Sequence, residues 1–266
     1  MRELLLCPPD HYSIDYEINP WMKKERKAER SLARQQWTRL RDTLESLGGK
    51  IHLMPAPPGL PDAVFTANAG LVVGRKFISS NFRHKERRGE SACFDQWFTD
   101  RGYELVHLPK DLLFEGEGDA LFCGDVLFCG YRFRSDIRSH QHLSDLLQCL
   151  VISVELADDR FYHLDTCFCA LPDGGAIWFP PAFDAYAQPA IRHHVGSLLE
   201  VTPEEAAGFA CNAVVLDREI VLPDGCPKLC AALTERGYHC HPLPMSEFLK
   251  AGGACKCLTL FLPQRP

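Results

Sequence analysis

Arg101-Gly-Tyr-Glu-Leu-Val-His-Leu-Pro109 returns late in the chain as Arg236-Gly-Tyr-His-Cys-His-Pro-Leu-Pro244. Each copy reads as a Gly that stops a helix, followed by a short apolar strand. Working outward, the same helix–Gly–strand phrase recurs in looser wording. A helical period through 26–47 ends at Gly48-Gly49 before a strand at 50–55. Helices near 91–100 and 227–235 precede the two quoted phrases, and helices near 135–148 and 188–195 lead into strands at 149–155 and 197–202. A supersecondary unit repeated every ~20–50 residues signals a closed or stacked array.

Behind each of the first four strands stands a hairpin-like pair of apolar runs: 69–73 with 76–79, 120–123 with 126–129, 166–170 with 176–179, and 212–216 with 219–222. Asp173-Gly174 is a strong turn signal inside the third pair. The fifth unit has one run, 256–262, and its missing partner is expected in Glu3-Leu-Leu-Leu-Cys7. That pairing would close a ring and remove an exposed edge. The expected fold class is α/β, with five pseudo-symmetric units in a single domain across 1–266.

At 46% hydrophobic and 24% charged residues, the 266-residue chain has material for a substantial core. A net charge of -6 argues against a nucleic-acid partner. The basic run 23–30 reads as the solvated face of a helix, because Glu25 and Glu29 interleave with it at helical spacing. The apolar N-terminal run is cut by Pro8 and Pro9, too short for a signal peptide, and no stretch nears the ~18 apolar residues of a membrane span. Thirteen cysteines without scaffold spacing read as thiols in a reducing cytoplasm. Cys167-Phe-Cys169 and Cys226-Pro-Lys-Leu-Cys230 lack the paired framework of structural zinc, and no phosphate-binding glycine loop is present. A small-molecule substrate is expected, with no metal, no cofactor, no nucleic acid and no membrane. Association into a homo-oligomer is left open.

Three stretches carry the chemistry: Phe114-Glu-Gly-Glu-Gly-Asp119, Phe161-Tyr-His-Leu-Asp-Thr166 and Gly252-Gly-Ala-Cys-Lys-Cys-Leu-Thr259. Together they supply a thiolate to attack, an imidazole to move protons and carboxylates to hold a cation. Asp62 and Asn68, Glu115 and Asp119, His163 and Asp165, Asn212, and Cys257 all stand at the entrance to the first run of their own unit. A ring would gather those entrances around one axis. Taken singly, each residue has a blander reading. A cysteine is usually a small buried hydrophobe, and His163-x-Asp165 alone reads as a core histidine beside a structural carboxylate. Glu115 competes with Glu117, and Cys255 with Cys257, since residues i and i+2 of a strand share a face. Lys256 favours Cys257 as a nearby cation of the kind that lowers a thiol pKa. His84, His140, His193 and His194 read as surface residues.

Cys7-Pro-Pro-Asp-His-Tyr12, Ile18-Asn-Pro-Trp-Met22, Pro61-Asp-Ala-Val-Phe-Thr-Ala-Asn-Ala-Gly70, Phe82-Arg-His-Lys-Glu-Arg87 and the second and third chemical stretches are long and collectively specific. With them the chain resembles the guanidine-modifying penteins: arginine deiminases, dimethylarginine hydrolases and amidinotransferases. The resemblance covers essentially the whole chain and is strongest toward the arginine dihydrolase branch. It implies a five-bladed pseudo-symmetric α/β propeller, closed by the N-terminal strand, with a central active site. It implies Cys257 as nucleophile, His163 as general acid/base, and Glu115 supporting the imidazole or a guanidinium nitrogen. Arg87 and Arg134 match positions that grip the substrate α-carboxylate, and Asp165 matches a guanidinium-binding carboxylate. Asn19 resembles the branch's second signature amide, and Asp62 and Asp119 complete the candidate substrate-binding set. Asn68 stands where deiminases and dimethylarginine hydrolases carry Asp, and where the dihydrolase branch carries Asn.

The implied activity is hydrolysis of the guanidinium group of free L-arginine to ornithine, two ammonia and carbon dioxide. A deiminase stopping at citrulline, or an amidinotransferase with an amine acceptor, is the alternative. Dimethylarginine hydrolysis fits less well, because the acidic residue that family carries just before the Asn68 position is Ala67 here. A non-enzymatic ribosome-binding pentein would leave the Cys, His and Glu positions vacant, and they are filled.

Overall fold

The structure, a computed structural model, describes residues 2–262. After β1 (Glu3–Leu6) one pattern repeats. Helix α1 (Arg30–Ser46) leads to β2 (Lys50–Leu53) and the hairpin of β3 (Gly70–Val73) and β4 (Lys76–Ser79). Helix α2 (Glu90–Thr99) leads to β5 (Glu104–His107), β6 (Ala120–Cys123) and β7 (Val126–Tyr131). Helix α3 (Arg138–Leu147) leads to β8 (Leu150–Glu155), β9 (Phe168–Ala170) and β10 (Gly175–Trp178). Helix α4 (Ala187–His194) leads to β11 (Ser197–Glu200), the short α5 (Pro203–Ala207), β12 (Val214–Leu216) and β13 (Glu219–Pro223). Helix α6 (Pro227–Glu235) leads to β14 (His239–Leu243), α7 (Ser246–Leu249) and β15 (Leu260–Leu262).

The strands form five three-stranded sheets of one design: β3-β4-β5, β6-β7-β8, β9-β10-β11, β12-β13-β14 and β15-β1-β2. In each, an antiparallel pair is joined by a third strand running parallel to the middle one. The N-terminal strand does pair as expected, with Leu5 opposite Leu260. The middle strands β1, β4, β7, β10 and β13 are almost continuously buried, as strands covered on both faces must be. The third strands begin at exposed residues because only one face is covered. Helix α1 buries Ala33, Gln36, Trp37, Leu40 and Leu44, one stripe at helical spacing.

Two expectations change. The basic run 23–30 is not a helix face, since α1 starts only at Arg30. There the Glu29 carboxylate caps the helix by accepting the Ser31 N–H, and the Glu29 N–H donates to Glu247 at 2.7 Å. The final run is a strand only over 260–262, because residues 254–259 spend their backbone groups on turns and on Asn212 instead of on a ladder. The comparison of Cys255 with Cys257 by strand periodicity therefore has no strand to rest on.

The turns that precede the hairpins are tied to one another. The Ala67 N–H donates to the Cys257 carbonyl at 3.2 Å, and the Lys256 N–H to the Asn212 carbonyl at 3.2 Å. The Leu164 N–H donates to Asp119 at 3.1 Å, and the Asn212 amide to the Asp165 carbonyl at 3.0 Å. Between the first two units the contact is so close that only glycine fits. Gly116 has φ +59°, and a Cβ there would lie 2.5 Å from the Gly70 carbonyl oxygen. Among the described residues no helix is long and apolar enough to cross a membrane.

Candidate active site

The candidate residues sit on short turns. Asp62 and Asn68 belong to two consecutive 3-10 turns, Pro61–Val64 and Thr66–Ala69, while Glu115 and Asp119 flank Gly116–Gly118. His163 caps Leu164–Thr166, which contains Asp165. Asp62, Asn68, Glu115, Asp119, His163, Asp165, Asn212 and Cys257 are all buried.

Cys257 Sγ donates to Asp165 Oδ2 at 3.3 Å and accepts from Asn212 Nδ2 at 3.1 Å. Burial, then the neighbouring Asp165 carboxylate, pushes the thiol well above its ordinary range. Without a cation beside it, Cys257 holds its proton. Lys256 does not supply that cation. Its ammonium pairs with Glu117 at 2.8 Å and donates to the Thr259 carbonyl, so the expected help to the thiol is absent. Lys256 acts instead on Asp165, where it opposes a rise to about 6 caused by burial.

His163 Nε2 lies 2.8 Å from Glu115 Oε2, and the same oxygen accepts from Arg134 at 3.0 Å. Glu115 Oε1 takes the Arg83 N–H at 3.1 Å. Burial alone would raise the Glu115 pKa; Arg134 and His163 outweigh it and hold the carboxylate well below its usual range. The two glutamates of the motif are thereby separated: Glu115 serves the imidazole and Glu117 pairs with Lys256. With its oxygens so engaged, Glu115 keeps little capacity for a guanidinium nitrogen.

Asp62 Oδ1, Asn68 Nδ2 and Asp165 Oδ1 are buried without a hydrogen-bond partner. Native proteins rarely leave such groups unpaired. The two carboxylate oxygens are acceptors of the kind that suit the N–H donors of a planar cation, whereas the Asn68 NH2 group is itself a donor and pairs only with an acceptor. The Tyr16 hydroxyl neighbours Asp62 but makes no hydrogen bond of good geometry with it. Burial raises the Asp62 pKa against the pull of Arg87. Burial, then the charges of Cys257 and Asp165, raises the Tyr162 pKa well above its ordinary value, and the Arg134 guanidinium lies 4.5 Å from its ring centroid.

Other candidates are fixed by protein partners. Arg87 donates to Glu90 through Nε and Nη2 at 2.8 and 2.7 Å and to Asn68 Oδ1 through Nη1 at 2.8 Å. Its fork is thus consumed, and it orients Asn68 instead of offering a free grip. Arg134 lies over the Tyr162 ring and donates to the Ile18 carbonyl at 3.1 Å as well as to Glu115. Asp119 accepts from Ser135 Oγ at 2.6 Å and from the Leu164 N–H, binding the Glu115 and His163 segments together; burial raises its pKa to about 6. Asn19 donates to the Ala251 carbonyl at 2.9 Å and accepts from the Trp21 N–H. Of the four histidines expected at the surface, His140 is buried. It stands on the buried face of α3 with Nδ1 2.7 Å from Ser153, and burial lowers its pKa to about 4.

Two site residues escape the sequence reasoning. Tyr162 stands beside His163 without a role of its own, although its hydroxyl donates to the Gly252 carbonyl at 2.7 Å. Asn212 stands at an entrance, likewise without a role. A signal exists: Phe65-Thr-Ala-Asn68 and Phe209-Ala-Cys-Asn212 share a Phe-x-x-Asn phrase, and in both the Asn N–H donates to the Phe carbonyl.

A model of the eukaryotic N,N dimethylarginine dimethylhydrolases matches residues 9–260. The chain is 46% identical over 262 residues to the bifunctional arginine dihydrolase/ornithine cyclodeaminase ArgZ of Synechocystis sp., matching 97% of this chain and 37% of that protein. It thus spans well under half the length of that relative. It is 36% identical to the N(G),N(G)-dimethylarginine dimethylaminohydrolase of Mycobacterium tuberculosis, over 97% of this chain and 85% of the relative. The structure superimposes on the N-terminal domain of ArgZ, an arginine dihydrolase solved with its substrate bound, with a TM-score of 0.96 at 43% identity. That match covers 100% of this chain and 99% of the solved one.

Proposed function

The chain belongs to the N,N dimethylarginine dimethylhydrolase family, and from that premise we propose that it hydrolyses the guanidinium group of free L-arginine through a covalent cysteine intermediate. The proposed products are ornithine, two ammonia and carbon dioxide. The observation that carries the reading is the pair of buried, unpartnered carboxylate oxygens on Asp62 and Asp165, with Asp165 in contact with the Cys257 thiol. Such a set is unfavourable empty and favourable around a guanidinium, whose fork of N–H donors suits carboxylate partners.

In this reading the substrate cation relieves the charge that keeps Cys257 protonated, and the thiolate attacks the guanidinium carbon. His163, held by Glu115, protonates the departing ammonia and leaves an amidino-thioether. It then takes a proton from water, which adds to that carbon. Loss of a second ammonia and addition of a second water release carbon dioxide and ornithine and regenerate Cys257. Arg134 is assigned to the α-carboxylate end, with Arg87 behind it fixing Asn68. Asp119 and Asn19 are assigned to hold the segments that carry the other groups. ArgZ, whose N-terminal domain matches this chain end to end, is an arginine dihydrolase, and Asn68 supplies a neutral amide where retention of the terminal nitrogen would call for a carboxylate.

We also propose one domain over 1–266, a propeller of five blades closed by β1. The chain of hydrogen bonds from one entrance turn to the next supports it. A second reading, hydrolysis of dimethylarginine, is favoured by the family match and the mycobacterial relative; Ala67 speaks against it. A single assay separates the readings. The purified protein is incubated with arginine or dimethylarginine, and ammonia, dimethylamine, citrulline and ornithine are quantified together. Two ammonia and one ornithine per arginine are expected. One ammonia with citrulline would make the protein a deiminase, and dimethylamine without any reaction on arginine would replace the substrate.

A further inference from the structure

The side chain of Asn212 uses every hydrogen-bonding capacity a primary amide has. Its Oδ1 accepts the backbone N–H of Ala254 and of Cys257, both at 3.1 Å. Its Nδ2 donates to the Asp165 carbonyl at 3.0 Å and to Cys257 Sγ at 3.1 Å. Two donors and two lone pairs are the whole inventory, so the group is saturated. Saturation also fixes which end is nitrogen. Turned over, the NH2 group would face two backbone N–H donors and the oxygen would face a carbonyl oxygen. The residue is completely buried, so no water competes for these bonds.

Among the described residues, this N–H is the single hydrogen bond donated to the Cys257 sulfur. The other polar contact of Sγ runs to the Asp165 carboxylate, which opposes a negative sulfur. A donor to the charged form favours that form, and an N–H pointing at a thiolate becomes a charge-assisted bond. Resting on the covalent reading above, we propose that Asn212 is a catalytic residue. It stabilises Cys257 as thiolate, both as attacking group and when the adduct expels it, while its Oδ1 clamps the turn that aims the sulfur. The carboxamide thus joins the nucleophile turn to the turn of the substrate-binding carboxylate. Displacement of either would be felt at the sulfur.

The test separates the donor from the clamp. Asn212→Ala removes both; Asn212→Asp keeps an acceptor oxygen for the two backbone N–H groups and replaces the donor with an oxygen. The rate of carbamidomethylation of Cys257 by iodoacetamide is followed by mass spectrometry across pH, alongside steady-state turnover of arginine. Loss of one donor aimed at a developing negative charge lowers kcat about 100-fold in comparable sites, and that loss is expected here with KM nearly unchanged. The alkylation midpoint should move upward in both variants. If Asn212→Asp turns over normally and titrates as the parent does, Asn212 is a clamp only and the proposal falls. Should Asn212→Asp not fold, Asn212→Ala takes its place. An unmoved midpoint refutes the donor role, and a raised midpoint with the limiting alkylation rate at high pH unchanged supports it, because a displaced sulfur would change that limiting rate as well. The titration needs no substrate. A parent that ignores arginine but whose midpoint moves in the variants refutes the substrate and keeps Asn212, whereas arginine turnover with an unmoved midpoint does the reverse.

Discussion

Replacing Asp165 by Asn should stabilise the empty protein while destroying its activity. The carboxylate is buried, its Oδ1 has no partner, and burial raises its pKa from 3.8 to about 6 despite Lys256 and the bonds from Cys257 and Asn212. For an acid with a raised folded-state pKa, the native state binds more protons than the unfolded chain between those two values. Stability therefore falls as pH climbs through that window, and the penalty is complete above it. A shift of roughly two units at 1.36 kcal/mol each is about 3 kcal/mol as an upper bound. For a domain of this size, ~2–4 °C per kcal/mol converts it to a rise in Tm of about 5–10 °C at pH 8. Calorimetry of the parent and Asp165→Asn at several pH values between 4 and 8 checks the size and the shape. The gap should be widest at pH 8 and shrink toward zero near pH 4. A variant no more stable at pH 8, or one whose advantage ignores pH, would show that Asp165 carries no burial penalty. The account of an empty receptor for a cation would then be wrong. Turnover is expected to vanish in the same variant, since the substrate loses its charged partner nearest the sulfur.

Cys257→Ser should abolish turnover yet retain arginine binding, seen by calorimetric titration, whereas Cys255→Ser keeps most activity; the opposite pattern would transfer the nucleophile. Glu115→Gln leaves Arg134 and His163 without their shared anion, and breaking such a buried pair costs about 3–5 kcal/mol in denaturant unfolding. Because the Glu115 pKa is depressed, that stabilisation is present above the ordinary value of 4.5 and is lost as pH falls, so the variant's deficit should narrow in acid. Asn68→Asp keeps the volume and the Arg87 contact and adds a charge beside the reacting group. Unit charges ~4 Å apart at an effective dielectric of ~20 interact by about 4 kcal/mol, and ~1.4 kcal/mol already changes a product ratio tenfold. Citrulline should accumulate and ammonia per arginine fall from two toward one; an unchanged ratio would remove Asn68 from the choice of product.

The five units are legible because helix-stop glycines and apolar runs are local signals, and the pairing of Glu3–Leu6 with Leu260–Leu262 follows from one strand lacking a partner. The entrances are legible for the same reason: position in a repeat needs only the repeat. What a side chain does at its entrance is harder to read. Arg87 has the look of a carboxylate grip, but Glu90, three residues on, occupies its fork. Lys256 has the look of an activator of its neighbour Cys257, yet successive side chains on a turn diverge, and its ammonium reaches Glu117 in the second unit. His140 reads as exposed because nothing in its own helix announces that Ser153, on the following strand, receives it. In each case the deciding partner lies on another turn or element, and charge alone does not say which partner is taken.

Asn68 and Asn212 show where this limit falls. Both end a Phe-x-x-Asn turn, both turns fold with the same backbone bond, and both amides are buried at an entrance. The repeat fixes that much. In the first unit Arg87 takes Oδ1 and Nδ2 has no hydrogen-bond partner, so the amide keeps a donor that pairs with an acceptor and not with a cation's N–H groups. In the fourth unit the nucleophile turn supplies two N–H groups to Oδ1, and the carbonyl of Asp165 and the sulfur take both hydrogens. One amide therefore keeps a free donor, and the other is spent on the turn and sulfur of Cys257. Pseudo-symmetry delivers equivalent groups to one place; the unlike neighbours on adjoining units divide the work between them. Conversion of either Asn to Asp should accordingly fail in different ways. At 68 the products change while the donor to the Cys257 sulfur stays in place. At 212 the titration moves while the products of the remaining turnover stay the same.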